Sequence, residues 1–206
     1  MVRRLRPLAA AAAFLTAAAA SAGAQVQVTI YDTYPAIAPD PTQPFAGGAV
    51  LCTSSAAGGA SGFSFDFSVA AAVNALCGPG ASARINNNQS FGARFRGILN
   101  VGATGTYDLN LDVDDGNVLT INGTTVRTDW VVKGSGPGII QVALNGGDNT
   151  FILDYFQGPP SGARVVMEAQ GITFQPPAVV PEPGTVALTA AGLLGAGLVA
   201  RRRRAA

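Results

Sequence analysis

Residues 105–123 read Gly-Thr-Tyr-Asp-Leu-Asn-Leu-Asp-Val-Asp-Asp-Gly-Asn-Val-Leu-Thr-Ile-Asn-Gly. Tyr107, Leu109, Leu111 and Val113 alternate with Asp108, Asn110 and Asp112. A period of two sends apolar and polar side chains to opposite faces, which is the pattern of a half-buried β-strand. Asp114-Asp115-Gly116 interrupts that pattern with turn chemistry, because a carboxylate beside glycine can accept neighbouring backbone N–H groups. Val118–Ile121 resumes it. Asn122-Gly123 then tolerates the positive φ angles of a tight hairpin, predicting a partner strand over 125–131.

The same alternation extends in both directions. Val26, Val28 and Ile30 share one face of a predicted strand, and so do Phe63, Phe65, Phe67 and Val69. Further strands are expected over 91–99, 139–144, 150–156 and 164–174. Asn145-Gly146-Gly147-Asp148-Asn149 forms a turn between two of them, and Gly134-Ser135-Gly136-Pro137-Gly138 reads as a hairpin loop. Only the alanine-rich stretch Val69 to Leu76 looks helical. Many short antiparallel strands at this spacing predict an all-β fold, an antiparallel β-sandwich of one domain over residues 25–175.

The ends have a different character. Residues 1–24 carry Arg3, Arg4 and Arg6, the apolar run Leu8 to Ala20 and the small residues Ala22-Gly23-Ala24, the layout of a secretory signal peptide, with a retained membrane helix as the alternative. Such a leader implies the Sec export machinery as a partner. At the other end a proline-rich linker, 176–184, precedes an apolar stretch, 185–200, and a basic tail, 201–206. The stretch predicts a transmembrane helix, and arginines hold a tail on the cytoplasmic side. Seven of the 13 basic residues lie in these two ends. Residues 25–175 hold six basic and eleven acidic residues, a net charge of −5, so nucleic acid is not an expected partner.

The chain contains no histidine, which removes His-based catalytic triads, His-ligated zinc and imidazole pH switches. Glu168 is the single glutamate of the exported part, and no G-x-S-x-G elbow, HExxH helix or phosphate loop occurs. The expectation is a protein that is not an enzyme. Cys52 and Cys77 are the only cysteines. In an oxidising compartment they are expected to form a disulfide worth roughly 3 kcal/mol; a free thiol is the alternative.

Pro181-Glu182-Pro183, the glycine-containing apolar segment and Arg201-Arg202-Arg203-Arg204 occur in that order. This tail resembles the PEP-CTERM sorting signal of Gram-negative bacteria that make exopolysaccharide. The resemblance implies recognition by exosortase, a membrane cysteine protease, anchorage in the inner membrane before processing, and a mature protein at the cell surface or in the extracellular biofilm matrix. Hydropathy by itself supports a plain C-terminal anchor.

Tyr107, Asp114, Asp115, Gly116, Ile121, Gly123, Leu144, Gly147, Tyr155 and Phe156 follow in an order that resembles the PA-fourteen domain, a β-sandwich family, over about 91–170. Some members are calcium-dependent glycan-binding modules in which paired aspartates hold the ion. The resemblance implies a Ca²⁺ site at Asp114 and Asp115, completed from the loop Gln157-Gly158-Pro159-Pro160-Ser161, and association with polysaccharide. Ca²⁺ takes about six to eight oxygens. A purely structural turn is the other reading of the pair, and Gln157 stands where calcium-binding members usually offer asparagine. Trp130, Tyr155 and Gln157 are glycan-binding candidates, the two aromatics by stacking on a sugar ring, with core packing as the alternative for Trp130. A structural matrix or spacer protein without a small ligand is the alternative to a glycan binder.

Overall fold

The computed structural model describes residues 25–32, 48–86, 91–158 and 162–177. Residues 1–24, expected to be a signal peptide, the PEP residues, the apolar stretch 185–200 and the arginine cluster lie outside them. Among the described residues no helix is long and apolar enough to cross a membrane.

The described residues form eleven strands and two short helices, both helices lying between the third and fourth strands. They are β1 (Gln25–Asp32), β2 (Ala49–Ala57), β3 (Gly62–Asp66), α1 (Ala70–Cys77), α2 (Ala81–Asn86), β4 (Phe91–Val101), β5 (Gly105–Val113), β6 (Gly116–Ile121), β7 (Thr124–Asp129), β8 (Pro137–Leu144), β9 (Gly147–Gln157), β10 (Arg164–Ala169) and β11 (Ile172–Gln175). Seven strands form one sheet in the order β2-β1-β4-β9-β6-β7, with β11 also paired to β4; four form the second in the order β3-β10-β5-β8. Every pairing is antiparallel. The expected sandwich is therefore the fold. β9 pairs with β4 along its whole length, whereas β1 and β11 share the opposite edge of β4 end to end.

The alternation seen in the sequence becomes the core. Val26, Val28, Ile30, Leu109, Leu111 and Val113 are all buried, and they face one another because each comes from the inward row of its strand. Aromatic rings fill the space between the sheets. Phe63 stacks on Phe95 with centroids 5.1 Å apart, and Phe67 on Tyr155 at 5.7 Å. Cys52 in β2 and Cys77 at the end of α1 form the expected disulfide, with Cα atoms 5.5 Å apart. It ties the helical excursion between the two sheets to an edge strand.

Two local expectations are corrected. The stretch 164–174 is two strands rather than one: Gly171, at φ 73°, lets the chain leave the small sheet as β10 and enter the large one as β11. Gly134–Gly138 does not close a hairpin, because β7 and β8 belong to different sheets and do not pair. β2, built of small residues without strict alternation, and the short α2 were not legible from periodicity. The Asn122-Gly123 hairpin stands, with φ values of 49° and 78°. The turn at 145–149 also stands, and it too changes sheets. Its Asn149 is fully buried and explains why: the side-chain amide donates to the carbonyls of Asn145 (2.8 Å) and Gly147 (3.2 Å), while Oδ1 accepts from Asn122 Nδ2 (2.8 Å) and the Asn145 N–H (3.0 Å).

Gly116 owes its identity to a close approach. Cα register pairs it with Phe156, whose neighbour Tyr155 faces the core, so Phe156 lies on the outer face of the large sheet. A Cβ on Gly116 would fall inside the Phe156 ring. Replacing Gly116→Ala should displace that ring and cost about 1–3 kcal/mol, as overpacking does; a lowered urea midpoint with an unchanged slope is the expected result.

Candidate functional site

Asp114 and Asp115 occupy the link between β5 and β6, where the chain steps from the small sheet to the large one. Adjacent residues of a strand point to opposite faces, so two neighbouring carboxylates meet at one place only if the backbone bends. Asp115 supplies the bend with φ 66°. The turn is held on both sides: Asp114 N–H donates to the Arg164 carbonyl (2.9 Å) and Asp115 N–H to the Lys133 carbonyl (2.8 Å).

The Asp115 side chain is a clamp. Its Oδ1 accepts the Lys133 N–H at 2.9 Å and its Oδ2 the Gly158 N–H at 2.7 Å. One carboxylate thus joins the β5–β6 link, the β7–β8 crossing and the loop after β9. Asp115 is 3% exposed and Asp114 9%. Among the described residues no hydrogen bond or ion pair engages the Asp114 carboxylate. Gly162, at φ 76°, lies against it so closely that a Cβ there would collide with Asp114 Oδ2. The loop that follows β9 therefore does reach the acid pair, as expected, but through glycine backbone at 158 and 162. Pro159, Pro160 and Ser161 lie outside the described residues.

Among the described residues no ion pair engages Asp114 or Asp115. Lys133, the only lysine of the chain, contributes its backbone to Asp115, but its amine turns away to Asp129, which also receives Arg127 Nη2 at 2.9 Å. Burial pushes the Asp129 carboxyl up, yet those two bonds and charges bring it below the ordinary range. The acid pair moves the opposite way. Burial, then the charges of Asp115 and Asp112, raises Asp114. Burial raises Asp115 against the two backbone donors from Gly158 and Lys133, which lower it. Two buried carboxylates without a counter-charge are a place a cation would stabilise.

The other candidates are placed differently. Tyr155 is fully buried, stacked on Phe67, with its hydroxyl donating to Gln157 Oε1. Burial, then the charges of Asp115, Asp114 and Asp66, raises its pKa well above 10.0. Tyr155 cannot stack on a sugar, and this corrects the expectation: the residue is a core ring because β9 alternates Leu153 and Tyr155 inward. Gln157 is 4% exposed and its Oε1 is committed to Tyr155, so its carbonyl oxygen does not stand where a glycan would meet it. Trp130 is half-buried and packs on Phe156 at 4.6 Å; it covers the outer face of the large sheet rather than joining the core. Among the described residues no group of three or more His, Cys, Asp or Glu side chains gathers as a metal centre, so an ion at Asp114 and Asp115 would draw its remaining oxygens from backbone or from a ligand. Lys133 and Gly162 were not legible as partners of the pair, and Gly158, inside the expected loop, serves through its backbone N–H rather than through a side-chain oxygen.

In the metal-free protein the raised pKa values mean that the folded state binds more protons than the unfolded one just above the ordinary carboxylate value of 3.8. The pair therefore opposes folding at neutral pH, and this is relieved as pH falls through the raised folded-state values. Asp114→Asn should raise the melting temperature at pH 7 in chelator by about 2–4 °C. The gain should fade toward pH 4 in a calorimetric pH series.

The family model of the PA14 domain matches residues 69–166, and that of the PEP-CTERM protein-sorting motif matches residues 179–204. The first match begins upstream of the stretch legible by motif and takes in both helices. No curated protein matches the chain. Among solved structures the chain is similar to the PA14 domain of the MpAFP antifreeze protein, with 16% identity, 76% of this chain and 93% of that chain covered and a TM-score of 0.50. It is also similar to an anti-sigma factor domain-containing protein, with 14% identity, 77% and 50% coverage and a TM-score of 0.51. A PA14 sugar-binding domain from an RTX adhesin shows 17% identity, 75% and 94% coverage and a TM-score of 0.48. At these identities the likeness to the first two shows the fold. The chain therefore carries a PA14 domain over residues 69–166 and a PEP-CTERM protein-sorting motif over residues 179–204, the motif of an exported protein.

Proposed function

We propose that this protein is a non-catalytic surface or matrix component that holds exopolysaccharide or another glycan at the Asp114–Asp115 end of its sandwich, with Ca²⁺ between protein and sugar. One observation carries the reading: two adjacent buried carboxylates share a turn, and the nearest lysine spends its amine elsewhere. The residues fit a hard cation. Asp114 lies in a cradle that a Cβ at Gly162 would fill, and each carboxylate has about four lone-pair sites, so Asp115 keeps capacity after accepting two N–H groups. Bound Ca²⁺ would supply positive charge and open coordination positions for vicinal hydroxyl oxygens. The protein's part is to aim the carboxylates: the Lys133 and Gly158 N–H groups hold Asp115, and Gly162 lies against Asp114.

The absence of histidine and the single exported glutamate support a binding role over hydrolysis, because glycoside cleavage uses a pair of carboxyl groups flanking the scissile bond across a cleft. The PEP-CTERM motif supports processing by an exosortase after Sec-dependent export, with delivery to the surface or the biofilm matrix.

Calorimetric titration of the purified protein with CaCl₂ should show binding, and the melting temperature should rise with calcium as mass action requires; Asp114→Asn should abolish both responses. On a glycan array, binding should be lost in chelator. Calcium binding absent at millimolar concentration would retire the metal, and glycan binding that survives chelation would retire its bridging role. The intact mass of protein recovered outside the producing cell should lack residues 1–24 and the Arg201–Arg204 cluster. A full-length mass would overturn processing at both ends.

A further inference from the structure

The segment that follows β7 carries two consecutive valines, Val131 and Val132, exposed by 52% and 56%. In extended chain one of two neighbours can usually turn inward; here neither is used by the core. Their position is nonetheless set. The next residue, Lys133, exchanges both backbone groups with Asp115, giving its N–H to Oδ1 at 2.9 Å and taking the Asp115 N–H at 2.8 Å. A Cβ built on Gly158 would stand 3.0 Å from Val132 Cγ2 and 3.3 Å from Asp115 Oδ2. The valine methyl and the carboxylate oxygen thus border the same small space, and the valine turn is pinned to the carboxylate that would hold the ion.

We propose that Val131 and Val132 form an apolar wall beside the acid pair and make the site selective for sugars that present a methyl group, carried either by a 6-deoxy carbon or by an acetyl substituent. This rests on the glycan reading above and names its ligand class. A hydroxyl against this wall would lose water without gaining a partner, whereas a methyl removes apolar surface from water on both sides.

The test uses the purified protein in CaCl₂ and four glycosides in competition: methyl α-L-fucoside against its hydroxylated parent methyl α-L-galactoside, and methyl N-acetylglucosaminide against methyl glucoside. The methyl-bearing member of at least one pair should bind about four-fold more tightly, the effect of burying one such group. The pair that shows the preference identifies the source of the methyl. Val132→Ser, and Val131→Ser with it, should erase the preference while calcium binding and melting temperature stay unchanged, since both side chains are exposed. Equal binding within both pairs, or a preference that survives the double substitution, would overturn the valine wall. Failure of all four to bind would overturn the glycan reading itself, a separate result.

Discussion

The carboxylate of Asp115 is the constraint on which this end of the molecule depends. It sits on a residue with positive φ, nearly out of solvent, and accepts two backbone N–H groups from segments far away in sequence. A buried N–H left unpaired costs more than a formed bond gains. The Lys133 and Gly158 amides therefore make the carboxylate obligatory to the loops, as much as the loops make it rigid. Charge-assisted bonds of this kind are the stronger ones. They locate the β7–β8 crossing and the exit from β9 relative to the β5–β6 link.

The same arrangement leaves an electrostatic debt at its centre. Asp129 draws both Lys133 and Arg127 to itself, and Arg94 is held in a two-pronged pair by Asp154 at 2.6 and 2.9 Å. Lys133, Arg127 and Arg94 are thus committed elsewhere, and the charge of Asp115 bears on Asp114. Protein structure tolerates such a pair where a ligand completes it. Glycine backbone flanks the pair at 158 and 162, where a Cβ would come close to a carboxylate oxygen, and Val132 lies against Gly158.

Much of the fold was legible in particular residues. The rows Val26-Val28-Ile30 and Leu109-Leu111-Val113 announced strands because an alternating side chain can be buried on only one face. Asn122-Gly123 announced its hairpin because both residues accept φ above zero. Asp114-Asp115 and the loop at 157–161 were legible as neighbours through the order of turn motifs. Tyr155 was not: an aromatic in an alternating strand looks the same whether its face meets solvent or the second sheet. Trp130 was equally ambiguous, and its contact with Phe156 joins residues 26 positions apart. Gly116 read as turn chemistry, whereas its role is to lie beneath the Phe156 ring.

By itself the sequence determined many of the local conformations and the C-terminal sorting motif, because alternation, positive-φ residues and runs of apolar or basic side chains act within a few residues of themselves. It determined too that no imidazole chemistry is available. Only the tertiary structure decided which sheet each strand joins, as the false hairpin at Gly134–Gly138 and the split of β10 from β11 show. It also decided that Lys133 gives its backbone to one aspartate and its amine to another. Those outcomes depend on contacts between segments tens of residues apart, whose free energy comes from burying two sheet faces together and satisfying every buried amide, and no short window of sequence contains that sum.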